Sequence, residues 1–170
     1  SGYNIINGKV YHIPMCWGYN IPVYNKDMVG KLPNTWGVLW DPKYKGLVSV
    51  TDEANNNVIT TALYLGFKDP YNLTDKQFKE VKKWLLRLKA NCRCFTTGYD
   101  SEKITMSQKD TAISISGYAS GLYLYLRDKC HMNVDIVVPY EGVYTWIDGW
   151  VILKRSPDPD LAHKWIDWML

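Results

Sequence analysis

Trp146 and Asp148 stand two positions apart in a strand-like run, VYTWIDGWVIL at 143–153, and strand alternation turns both side chains to one face. An indole beside a carboxylate is a receptor for cations. The carboxylate supplies charge-assisted hydrogen bonds, and the ring supplies cation–π attraction of roughly 0.5–2 kcal/mol. The plainer alternative is a core indole and a turn or surface acid, and spacing alone leaves both open. Further polar residues stand where strands give way to helices: Asp52 and Glu53 after the apolar run at 47–51, and Ser116 and Gly117 after the run at 111–115. In open α/β sheets, ligands gather outside the carboxyl ends of strands, where such loops converge.

Catalytic chemistry finds little to stand on. The chain contains no G-x-S-x-G, no phosphate-binding loop, no H-E-x-x-H and no G-x-G-x-x-G. Its nearest glycine pattern, Gly117 to Gly121, opens a helix. An enzyme would have to use Asp52, Glu53 or Asp148 as acid or base with no nucleophile, metal set or cofactor loop beside it, so a non-enzymatic protein without a cofactor is expected. Of the four cysteines, Cys92 and Cys94 are too tightly spaced for a paired zinc site, and Cys16 near His12 or Cys130 near His131 completes no four-ligand set. No metal is expected. Two disulfides are permitted by the count and established by nothing.

The elements that must position these residues follow from periodicity. Residues 10–25, rich in β-branched and aromatic side chains and punctuated by Pro14, Gly18 and Pro22, read as short strands joined by turns. The segment 26–46 is turn-rich, and 47–51 reads as a buried strand leading into a helix with Val58, Ile59, Ala62 and Leu63 on one face. From about Thr74 to Ala90, Phe78, Val81, Leu85 and Leu88 recur at helical spacing behind a T-x-x-Q capping box. The opposite face carries Lys76, Lys79, Lys82, Lys83, Arg87 and Lys89, a solvated face in preference to a nucleic-acid patch. A strand at 111–115, a helix with Ala119, Leu122, Tyr123 and Leu126 on one face, strands at 134–139 and 143–153, and a final helix bearing Leu161, Trp165 and Trp168 complete the order. Alternating strands and helices predict an α/β domain, a mixed sheet flanked by helices.

Composition bounds the rest. At 170 residues and 46% hydrophobic content, one domain is expected. A net charge of +3, from 20 basic and 17 acidic residues, implies no polyanionic partner, and nucleic acid is not expected. Aromatic usage is uneven, with 8 Trp and 13 Tyr against 3 Phe; Trp and Tyr suit cores and ligand clefts alike. No apolar run approaches the roughly 18 residues that span a bilayer. The ends, Ser1-Gly2 and a helical pattern still running at Met169-Leu170, suit a piece of a longer protein, with any signal or lipid anchor outside it.

At these same residues the sequence resembles a known family. Trp36, L-W-D-P-K-Y-K-G at 39–46, T-D-E-A at 51–54, V-V-P-Y-E-G at 137–142, T-W-I-D-G at 145–149 and A-H-K-W-I-D-W-M-L at 162–170 fall in the order and approximate spacing of bacterial spermidine/putrescine-type solute-binding proteins of ABC importers. The resemblance covers nearly the whole chain. It implies a two-lobed protein of the type II periplasmic-binding-protein-like fold, with 1–170 as a single domain, the second, ligand-embracing lobe; the first lobe and the C-terminal return crossover are absent. Trp146 and Asp148 match the indole and carboxylate that hold the ligand, and Glu53 stands where an aspartate recognises an ammonium. Asn56 replaces a carboxylate, and Ile115 stands where a second indole would stack. The turn after Ser116 presents helix N-terminal amides, which favour anions. The implied ligand is a polyamine, a simpler amine or a zwitterion; the implied partners are an ABC permease in the membrane and the first lobe of the same protein. The location is extracytoplasmic, periplasmic or cell-surface, with membrane association through regions outside the chain. The alternative is an isolated or permease-fused interaction lobe that docks protein partners.

Overall fold

The computed structural model describes residues 4–170. Along the chain come β1 (Ile5–Ile6), β2 (Lys9–Val10), β3 (Ile13–Asn25), α1 (Lys26–Val29), β4 (Val48–Thr51), α2 (Ala54–Tyr64), α3 (Asp75–Asn91), β5 (Cys92–Thr96), α4 (Tyr99–Ser107), β6 (Ile113–Ser116), α5 (Ala119–Leu124), β7 (Val134–Ile136), β8 (Tyr144–Trp150) and α6 (Pro159–Met169). The backbone divides into two compact units, Tyr19–Tyr144 and the described residues through Gly18 with Thr145–Leu170.

In the larger unit the strand order is β5-β4-β6-β3-β7. β4 is parallel to β5 and β6, whereas β3 is antiparallel to β6 and β7, so the sheet is mixed. Parallel neighbours require crossover connections whose helices cover the sheet, which favours apolar strands. Val48, Val50, Ile113 and Ile115 accordingly join Trp36, Leu39 and Leu88 in one buried cluster. Ile21 and Val23 of β3 pack with Met106, Leu122 and Leu126 in a second cluster.

The capping box predicted for α3 is present: the Gln77 amide donates to Thr74 Oγ1, and the Thr74 amide donates to Gln77 Oε1. Val81 and Leu88 are buried, Leu85 is half-buried, and Phe78, expected on the same face, is exposed. All six cationic side chains of the opposite face are exposed. Much of the aromatic content goes into packing. Trp40 stacks on Tyr64 with centroids 4.5 Å apart, Trp84 meets both edge-on, and Trp40 Nε1 donates to the Trp84 carbonyl at 2.9 Å. The P-Y-E-G segment has a structural task too: Trp36 Nε1 donates to the Gly142 carbonyl at 2.8 Å, and Glu141 accepts from the Thr35 hydroxyl.

Two features depart from the sequence expectation. Of the segment 10–25, predicted as short strands and turns, Ile13–Asn25 form one thirteen-residue strand, β3. Pro22 fits inside it, opposite Ile115 in register, with its carbonyl accepting from the Val137 amide at 2.9 Å. β5 and α4 fill the stretch between α3 and β6, where no element was foreseen. β5 is an edge strand, and its register with β4 slips: Val48 pairs with Cys92 and Ser49 with Cys94, leaving the exposed Arg93 as an extra, bulged residue.

In the smaller unit, β1 and β2 are joined by Asn7 and Gly8 at φ 51° and 75°. Two consecutive left-handed residues match the twist of a two-residue hairpin, and Asn-Gly is its commonest sequence. β8 pairs with β3. α6 starts at Asp158, whose carboxylate accepts from the Leu161 amide at 2.9 Å. Ile166 is its buried residue, while Leu161, Trp165 and Trp168 are exposed.

Candidate ligand-binding site

Because β4 and β6 are parallel neighbours, their carboxyl ends emerge together, and the loops Thr51-Asp52-Glu53 and Ser116-Gly117-Tyr118 leave the sheet side by side. Glu53 takes the position just before α2 without capping the helix, so its exposed carboxylate is turned to other use: it accepts from the Asn56 side-chain amide. The loop below is held by Asn57 Nδ2, which donates to the Thr51 carbonyl at 2.9 Å, and by the Glu53 amide, which donates to the same carbonyl at 2.8 Å. Glu53 and Asn56 are thus together. Ile115 is buried in the core cluster, and Ser116 is fully buried.

The Ser116 hydroxyl is committed to a residue that sequence reasoning missed. Glu102, on α4, is 2% exposed and accepts from Ser116 Oγ at 2.5 Å and from Thr51 Oγ1 at 2.7 Å. Burial raises its pKa above the ordinary glutamate value, the two hydroxyl bonds pull it back, and the charge of Glu53 adds to the rise. Nothing marked Glu102 beforehand, because a glutamate in a polar run reads as solvated surface.

In the smaller unit, Trp146 is half-buried and Asp148 exposed. A side chain at Gly18 of β3 would run into the Trp146 indole, so this glycine is what lets the ring lie against the strand. Two residues earlier, the Cys16 thiol donates to Asp148 Oδ2 at 4.0 Å. The matched two-residue spacing, Cys16 and Gly18 against Asp148 and Trp146, puts indole and carboxylate on one face of β8, as alternation predicts.

Among the described residues no group of three or more His, Cys, Asp or Glu could hold a metal, and no helix is long and apolar enough to cross a membrane. The four thiols are unpaired. Burial, with the neighbouring Cys94, pushes the Cys92 thiol up to about 12.

The profile of the bacterial extracellular solute-binding proteins matches residues 1–170. The chain belongs to that family. It is a solute-binding family, not an enzyme family. The chain is 32% identical over 175 residues to the putrescine/cadaverine-binding protein of Pseudomonas aeruginosa, covering 96% of this chain and 48% of that protein. Against the spermidine/putrescine-binding periplasmic protein of Escherichia coli it is 26% identical over 162 residues, 94% of this chain and 44% of the other. The chain spans about half the length of the curated relatives it matches. Among solved structures, the spermidine/putrescine ABC transporter substrate-binding protein of Streptococcus pneumoniae superposes with a TM-score of 0.78 at 29% identity, over 95% of this chain and 48% of that one. A lipoprotein of Treponema pallidum shares the fold, with a TM-score of 0.82 at 19% identity. This family member is therefore an α/β lobe corresponding to half of a periplasmic binding protein, its mixed sheet flanked by helices as predicted.

Proposed function

We propose that this chain is the ligand-embracing lobe of an extracytoplasmic solute-binding protein that captures a small cationic solute of the putrescine or spermidine class and delivers it to an ABC permease, with the first lobe and membrane attachment supplied by regions outside residues 1–170. One observation carries the reading: Trp146 and Asp148 share one face of β8, the carboxylate exposed and the indole only half-buried. Such a pair takes an ammonium on the acid and lays the aliphatic stem along the ring. Similarity to proteins named for putrescine, cadaverine and spermidine supports the same ligand class. In the larger unit, Glu53 and Asn56 are proposed as solute contacts in their own right, one acid and one amide, which suits a singly charged amine or a zwitterion. Ile115 and Ser116 complete the proposed set by forming the strand end on which that wall is built.

Calorimetric titration of the intact protein with putrescine and spermidine tests this. A charged hydrogen bond contributes about 1.5–3 kcal/mol, so Asp148→Asn should weaken binding roughly ten- to a hundredfold. Absence of binding to any polyamine, amine or amino-acid-like solute, or an Asp148→Asn variant that binds like the parent, defeats the reading. A second reading, a lobe that docks a protein partner without binding solute itself, is favoured by the exposed Leu161, Trp165 and Trp168 on α6; it gains if the titrations are silent.

A further inference from the structure

The carboxyl ends of two parallel strands are normally joined only by their ladder, and the loops beyond them are free to move. Here a third element reaches across both. Glu102 sits on the first turns of α4, which packs on β5 and β6, and its carboxylate lies against the last residues of β4 and β6. Thr51 Oγ1 is 2.7 Å from one carboxylate oxygen and Ser116 Oγ is 2.5 Å from the other. The ties continue outward from Ser116, whose Oγ accepts from the Tyr118 amide at 3.2 Å.

We propose that Glu102 is a positioning residue for ligand capture: its buried carboxylate, accepting from Thr51 and Ser116, clamps the ends of β4 and β6 together and so fixes the two loops that carry Glu53 and Gly117. The physical reason is the cost of burial. A carboxylate withdrawn from water is tolerated only where donors replace the lost solvation, and here the two hydroxyl donors are themselves the last residues of the strands. Releasing either loop would strip a donor from a buried charge, so the loops are held by more than their backbone ladder. Burial is the dominant influence on this carboxyl. The remaining charged and titratable groups of α4 look elsewhere: Lys103 pairs with Asp100 at 2.6 Å and lies over the Tyr99 and Tyr125 rings. Glu53 is the charge that acts on Glu102 from another element. The effect of Glu102 on a solute rests on the solute-binding reading above; its effect on the loops does not.

Amide hydrogen exchange by mass spectrometry, with putrescine titration of the same samples, separates the two. In Glu102→Ala, segments 51–57 and 116–122 should exchange at least tenfold faster while 81–88 in α3 stays unchanged, and putrescine affinity should fall at least tenfold. Glu102→Gln, which can accept from one hydroxyl and donate to the other, should restore exchange in both segments to within about threefold of the parent. Should Glu102→Ala fail to fold, the double variant Thr51→Val, Ser116→Ala removes both ties and should speed exchange in the same two segments. Unchanged exchange there, acceleration spread equally over α3, or no rescue by glutamine overturns the assignment. If the parent protein binds no putrescine, the ligand class proposed above falls, and the exchange arms still decide the role of Glu102.

Discussion

The Cys16 thiol and the Asp148 carboxylate meet where β3 pairs with β8, Sγ 4.0 Å from Oδ2, and both residues are exposed. In the proposed binding mode, a cation held by the carboxylate also shields the thiol. Putrescine should therefore slow iodoacetamide alkylation of Cys16 at least threefold, read by peptide mapping. Cys92, its thiol pushed up to about 12, should stay unlabelled until the protein unfolds. Equal Cys16 rates with and without putrescine would place Asp148 outside the binding surface.

Gly18 makes room for the Trp146 ring, and a Cβ there overlaps the indole. Gly18→Ala should cost about 1–3 kcal/mol in urea unfolding, the usual range for overpacking. Putrescine affinity should fall with it, because the displaced ring no longer lies beside Asp148. A variant with parental stability and affinity would mean that the ring can lie elsewhere at no cost.

Glu102 makes stability depend on pH in a defined direction. Its folded-state pKa is raised, chiefly by burial, so the folded protein holds this proton more tightly than the unfolded chain. The stabilisation is fully present below the unfolded glutamate value of about 4.3 and is lost as pH rises through the folded value. Glu102→Gln lacks this loss. Its stability relative to the parent should therefore increase from pH 4 to pH 7 in paired urea titrations, and a difference that is flat with pH would contradict the burial of this group.

Thr74 and Gln77 satisfy each other's backbone amides at the start of α3. Thr74→Ala should destabilise the protein by about 1 kcal/mol and Thr74→Ser by much less, since serine retains the oxygen that receives the Gln77 amide. Chemical denaturation of the two variants distinguishes the cap from simple loss of a side chain.

Where an element buries one regular face, its sequence announces it. β4, α2 and α3 begin and end close to their expected positions because apolar residues recur at the proper period and Thr74 and Gln77 mark a start. α4 was invisible for the complementary reason: its two buried residues, Glu102 and Met106, are one turn apart, and the first is a carboxylate where pattern reading looks for a hydrocarbon. The β1–β2 hairpin is encoded in two adjacent residues, Asn7 and Gly8, whereas the unbroken course of β3 through Pro14, Gly18 and Pro22 depends on partners far along the chain. The candidate site divides the same way. Trp146 and Asp148 could be paired by counting along one strand; the tie from Glu102 to Thr51 and Ser116 spans three elements, and no local spacing encodes it.

The slip at Arg93 bears on how the molecule meets others of its kind. A strand arriving from a neighbouring molecule would have to line up with β5, where an unmatched, exposed and charged residue throws the ladder out of step. Sheet extension on that side is thereby discouraged, and one route to fibre formation is obstructed in the backbone itself.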